Sequence, residues 1–181
     1  MTFIIKNIFL GLIISLIILI LQKKYKFNNF TKYILILYSF TPLFVIGVLF
    51  DQTYMWDTIV YLKNINFIRG LNYELILPDN IDTKTFSFIY SIIPLPLSEN
   101  TNNIGFYSKF IYVLFIIFLL AKNYLKEDTF LFYFFLIWPS ALIYSSVGLK
   151  EIPTLILTFL IVINLINEKY YFVFFNFCIL F

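Results

Sequence analysis

Six apolar runs separated by short polar breaks constrain this chain more than any other feature. A helix needs about 20 mainly apolar residues to cross a hydrocarbon core of roughly 30 Å. Five stretches approach that length: Phe3 to Leu21, Tyr33 to Phe50, Ile104 to Ala121, Phe130 to Leu149 and Ile152 to Ile166. Lys6 lies near enough to the end of the first run to snorkel, and Lys109 lies near the start of the third. The sixth run, Tyr170 to Phe181, holds 12 residues, about 18 Å as a helix, and stops inside a bilayer. The expected fold is therefore all-α: a polytopic transmembrane helical bundle with about five complete spans, a sixth truncated, and one long outer loop. Residues 1–181 read as a single transmembrane domain, the N-terminal part of a longer protein.

Composition supports this and removes several chemistries. The chain is 61% hydrophobic and 22% aromatic but only 13% charged, far from the balance of a soluble domain. It has no His, so acid–base work falls to carboxylates, Tyr or Lys. The single Cys178 allows no internal disulfide and sits in an aromatic-rich run suited to a buried apolar thiol. The net charge of +3 is spread around the apolar runs. With no basic stripe for a phosphate backbone, nucleic acid is excluded as a partner.

Lys and Arg in short connections set orientation. Lys23, Lys24, Lys26 and Lys32 lie between the first two runs, which predicts a cytoplasmic loop and an outside N-terminus. Alternation then places Lys122, Lys126 and Lys169 inside. The segment 51–105 falls outside, an extracytoplasmic loop with three basic residues (Lys63, Arg69, Lys84) against six acidic ones (Asp51, Asp57, Glu74, Asp79, Asp82, Glu99). The first run is read as an uncleaved span, because its lysines follow the apolar stretch, the reverse of a signal peptide. In the loop, Tyr54 to Arg69 carries enough apolar residues for an interfacial helix, stopped at Gly70. Phe86 to Ile93 is too short to span and ends at Pro94-Leu95-Pro96, which predicts a membrane-edge or re-entrant piece. No internal repeat is present.

Two places could carry chemistry. Asp51 follows the run Phe44 to Phe50, and Asp57 comes six residues later. Both suit an interfacial cap; equally, a carboxylate at that depth could deprotonate an acceptor hydroxyl or hold a divalent cation beside a lipid-borne phosphate. The second place is the stretch from Trp138-Pro139-Ser140 through Tyr144-Ser145-Ser146 to Gly148-Leu149-Lys150-Glu151-Ile152-Pro153. Pro139 removes a backbone donor within a span, so a kink is expected and a freed carbonyl needs another partner. Ile152-Pro153 suits the first turn of the next helix, whose N-terminus favours the negative Glu151. A charge pair marking a tight outer turn explains the same residues structurally. By alternation Lys150-Glu151 lies on the side of Asp51 and Asp57.

The order of these parts resembles the GT-C-type bacterial membrane glycosyltransferases and the related polysaccharide (O-antigen) polymerase-like proteins. The matching pieces are Asp51 or Asp57 with Tyr61, then Phe86 to Tyr90, then Trp138-Pro139-Ser140 through Ser145-Ser146 to Leu149-Lys150-Glu151. They cover about Phe50 to Ile166. The resemblance implies transfer of a sugar from a polyprenyl-phosphate-linked donor to a glycan acceptor at the outer face of a bacterial inner membrane. In it Asp51, Asp57 and Glu151 are catalytic, and Tyr61, Arg69, Lys150, Ser145 and Ser146 bind substrate; a divalent metal ion is the one cofactor it allows. Lys150 stands where the family has Arg and lacks its bidentate grip on phosphate, Glu151 replaces the commoner Asp, and an extra N-terminal span favours the polymerase-like branch. Phosphate beside an acidic loop needs a cation, from Lys150, Arg69, Lys63 or a metal. Two readings of other classes stand beside this one. A transporter or flippase subunit predicts paired interruptions in corresponding halves of the chain, where only the Pro139 to Pro153 region is interrupted in this way, and a non-enzymatic membrane protein uses its polar residues for topology alone.

Overall fold

The computed structural model describes residues 2–45, 56–70, 81–93, 102–148 and 150–180. Among the described residues ten helices run in chain order: α1 (Thr2–Tyr25), α2 (Asn29–Ser39), α3 (Thr41–Val45), α4 (Trp56–Arg69), α5 (Ile81–Ser91), α6 (Asn102–Ala121), α7 (Phe130–Ile137), α8 (Pro139–Val147), α9 (Glu151–Ile166) and α10 (Tyr170–Leu180). No strand occurs among the described residues. α6 is the axis: it packs against α1, α2, α3, α4, α5, α8 and α9. Most of its apolar length is buried, whereas α1 and α7 leave Phe9, Leu12, Leu16, Phe130 and Ile137 exposed. Apolar surface on this scale belongs in lipid.

Fewer helices can span than the sequence predicts. Among the described residues, Asn7–Tyr25 and Ile104–Ala121 are long and apolar enough to cross a membrane, and Phe130–Ile137 with Pro139–Val147 makes a third if the bent pair is one span. This is the make-up of an α-helical membrane protein, but not of five complete spans. The physical reasons are specific. The run Tyr33 to Phe50 is not one helix: it breaks at Phe40, and residues 46–55 lie outside the description. α9 has 16 residues, about 24 Å, and α10 has 11.

Both breaks come from proline, and both freed carbonyls are answered. Trp138 takes the extended conformation that a following proline favours, and α7 and α8 meet at 46°. Pro139 has no N–H for the Phe135 carbonyl four residues back; Tyr112 on α6 donates its hydroxyl to that carbonyl at 2.6 Å. Pro42 likewise leaves the Tyr38 carbonyl without a donor, and Thr41 Oγ1 supplies one at 2.9 Å. In a bilayer such substitutes are obligatory, because no water is present to take the place of the missing amide.

The ends of the bundle differ. At one, Glu127 accepts from the Asn28 amide at 2.9 Å and from the Thr31 hydroxyl, joining the loop after α6 to the start of α2. Asn167, after α9, donates to the Tyr124 hydroxyl at 3.1 Å. The connections that carry Lys23, Lys24, Lys26, Lys32, Lys122, Lys126 and Lys169 thus share one end. At the opposite end α4 and α5 pack on each other and on the N-terminal half of α6. α4 stops at Arg69, with Gly70 donating to the Asn66 carbonyl, and the short apolar run of the loop is the helix α5.

Candidate functional site

Glu151 is the first residue of α9 and is exposed, with Ile152 and Pro153 buried behind it in the first turn. Pro153 needs no hydrogen-bond partner there, since first-turn amides have none within the helix. A cleft of about 290 Å³ opens beside the carboxylate, lined by Tyr112, Phe134, Trp138, Ala141, Tyr144 and Leu155 among others. Its walls come from the kinked pair α7–α8, from α6 and from α9. Apart from Glu151 and a few hydroxyls the lining is apolar, which fits a hydrocarbon chain with its polar head at the mouth.

The loop helices meet this rim. Tyr90 of α5 is fully buried and meets Tyr61 of α4 edge-on at 6.1 Å. Burial, and to a lesser degree the nearby Glu151 carboxylate, pushes the Tyr90 phenol above its ordinary range. Gly148, three residues before Glu151, abuts Ile104 near the start of α6, the helix on which α4 and α5 also pack. Arg69 fastens the loop: Nε donates to the Ser91 carbonyl at 3.0 Å, Nη2 to the Ile93 carbonyl, and Nη1 to the Tyr107 hydroxyl at 3.3 Å, with the guanidinium 5.4 Å from the Tyr107 ring centre. The carbonyls are those left open where α5 ends.

Behind the cleft lies a buried polar seam. Lys109 on α6 is completely buried and donates from Nζ to Ser145 Oγ at 2.6 Å, while Nζ sits 3.6 Å from the Tyr38 ring centre. Tyr38 OH and Ser145 Oγ are 3.2 Å apart, and Thr41 Oγ1 and Ser146 Oγ are 2.9 Å apart. The seam thus ties the α2–α3 break to α8 through α6. Gly148 lets these helices approach: it closes α8 at φ 85°, and a Cβ there would lie 2.7 Å from the Ile104 backbone carbonyl.

The sequence-predicted residues divide accordingly. Ser145 and Ser146 are buried and face Lys109, Tyr38 and Thr41, not the cleft. Tyr61 is packed in the loop core, Arg69 holds loop carbonyls, Lys63 and Lys150 are exposed, and Glu151 stands at the cleft mouth. Asp51 lies outside the described residues, as does the side chain of Asp57, the second residue of α4. No group of three or more His, Cys, Asp or Glu is placed to hold a metal among the described residues. The sequence places Lys109 near the start of a span, and its position five residues past Ile104, inside an apolar run, is the signal of its burial. Comparison with protein-family models, curated proteins and solved structures finds no match.

Proposed function

We propose that the protein is a membrane glycosyltransferase or polysaccharide polymerase that takes a sugar from a polyprenyl-phosphate-linked donor at the outer face of a bacterial inner membrane. The observation that carries this reading is an exposed carboxylate, Glu151, lining a largely apolar cleft. A prenyl chain fits the cleft, leaving its sugar phosphate at the rim. Glu151, with Asp51 or Asp57, takes the proton of an acceptor hydroxyl; that oxygen bonds to the anomeric carbon, and the bond from this carbon to the lipid phosphate breaks, releasing the prenyl phosphate. The helices apolar enough to cross a membrane, α1, α6 and the bent pair α7–α8, support a membrane setting for this reading. In cells dependent on the protein for a surface glycan, Glu151→Gln, Asp51→Asn and Asp57→Asn are expected to cut synthesis at least tenfold in one or more cases. Full synthesis by all three ends the assignment.

A transporter or flippase is favoured by a different observation. Two proline-broken helices, α2–α3 and α7–α8, are joined through Thr41–Ser146 and Tyr38–Ser145 around a buried lysine, and interrupted helices of this kind recur in transport pathways. Movement of a labelled prenyl-linked sugar across protein-containing vesicles, without sugar transfer, supports this reading over the first.

A further inference from the structure

A second hollow, of about 440 Å³, opens where α1 ends at Tyr25 and α6 ends at Ala121. These are also the ends of the span candidates Asn7–Tyr25 and Ile104–Ala121, so the hollow sits at the depth where a membrane gives way to headgroups and water. It lies about 24 Å along α6 from Ile104, the residue that Gly148 abuts, and shares no lining residue with the cleft beside Glu151.

The floor is apolar, built from the buried Phe27, Leu120 and Leu125, while the rim carries both signs of charge: Lys26 and Lys126 against Glu127 and Asp128. Glu127 is engaged with the Asn28 amide and the Thr31 hydroxyl. The side chains of Lys26, Lys126 and Asp128 make no hydrogen bond or ion pair among the described residues. Opposite charges that line one hollow without pairing leave room for a ligand that carries both. The C-termini of α1 and α6 add partial negative charge, which favours a cation beside them. Lys26 (φ 55°) and Asn123 (φ 57°) also line the hollow, each left-handed just past a helix end where glycine is usual. Asn takes that conformation readily and Lys does not, and a strained residue at such a rim points to a use for its side chain.

We propose that this hollow holds the headgroup of a bilayer phospholipid bearing a primary amine, of the phosphatidylethanolamine class. The ammonium groups of Lys26 and Lys126 donate to its phosphate oxygens, its own ammonium donates to Asp128 beside the helix C-termini, and the apolar floor receives the start of its acyl chains. A headgroup with negative charge alone leaves Asp128 without a partner, and a choline headgroup has no N–H to donate. The ligand belongs to the surrounding membrane and undergoes no reaction, so the proposal goes beyond the transfer reading and stands without it.

Native mass spectrometry of the protein released from detergent micelles counts bound lipid during a titration. Phosphatidylethanolamine is expected to bind about tenfold more tightly than phosphatidylcholine, the worth of a hydrogen bond to a charged group. Asp128→Asn erases that preference by weakening phosphatidylethanolamine to the level of phosphatidylcholine, and Lys26→Gly and Lys126→Gln weaken both lipids several-fold. Glycine suits φ 55°, so Lys26→Gly is expected to resist unfolding at least as well as the parent, and its weaker binding is not a loss of fold. Equal binding of the two lipids by the parent, tighter binding of phosphatidylglycerol than of either, or unchanged binding in all three variants overturns the proposal. Displacement of the lipid by soluble phosphoethanolamine at the same concentration overturns it too, since the acyl chains then contribute nothing. Glu151→Gln protein is expected to keep the preference, so failure of the transfer reading and failure of this proposal are told apart.

Discussion

Gly148→Ala is expected to be among the most disruptive single-methyl changes in the bundle. Two separate terms act at that position. The residue is left-handed at φ 85°, which costs a non-glycine residue about 1–2 kcal/mol. The new Cβ would also lie 2.7 Å from the Ile104 backbone carbonyl, and because backbone cannot swing aside, α8 must move off α6 at an overpacking cost of about 1–3 kcal/mol. The sum is about 2–5 kcal/mol. Gly148→Asn eases the left-handed dihedral but adds side-chain atoms beyond the overlapping Cβ, so it is expected to be destabilised as well. Reversible unfolding in mixed micelles by added SDS measures both. An alanine cost below about 0.5 kcal/mol would refute the combined dihedral and overlap cost.

Other expectations follow from contacts elsewhere in the bundle. Thr41→Val and Ser146→Ala should show a coupling of about 0.6 kcal/mol in a double-mutant cycle, the usual worth of an interhelical side-chain bond in a membrane; additive effects would mean that the hydroxyls are not bonded. Tyr112→Phe leaves the Phe135 carbonyl without its donor and should cost about 1–3 kcal/mol, read by the same unfolding assay. Glu127→Gln weakens the anchor at the start of α2 and should cost about 1 kcal/mol, with faster amide exchange at Asn28 and Thr31 as its local signature. Arg69→Met should speed proteolysis within the α4–α5 loop while leaving the unfolding midpoint of α1 and α6 nearly unchanged.

The helical class, the α1 and α6 spans and the kink at Pro139 were legible because each rests on local chemistry: apolar length and a missing amide. So were the helical start at Glu151-Ile152-Pro153 and the stop before Gly70. The lysine-bearing connections also gather at one end, as their spacing predicts. The break at Phe40 was missed although Pro42 announces it, because an unbroken hydropathy run outweighed one residue. Lys109 was missed for a deeper reason. Whether a lysine near a helix end snorkels or is swallowed depends on which helices pack over it, and here α2 and α8 do so. The roles of Ser145 and Ser146 moved for the same reason: helical phase relative to α6 turns them toward the lysine, away from the cleft. Arg69 shows the limit of composition, since a loop guanidinium near acids reads as a phosphate ligand until its carbonyl partners are known.

The most direct measurement is the sidedness of the two ends of the bundle. In Cys178→Ser protein, Glu151→Cys and Lys126→Cys are each exposed to a membrane-impermeant maleimide added to intact cells whose outer membrane admits it. Labelling of position 151 from outside, with position 126 reached only after permeabilisation, is the predicted result. Labelling of both positions from one side contradicts a cleft that opens on the face opposite the basic loops.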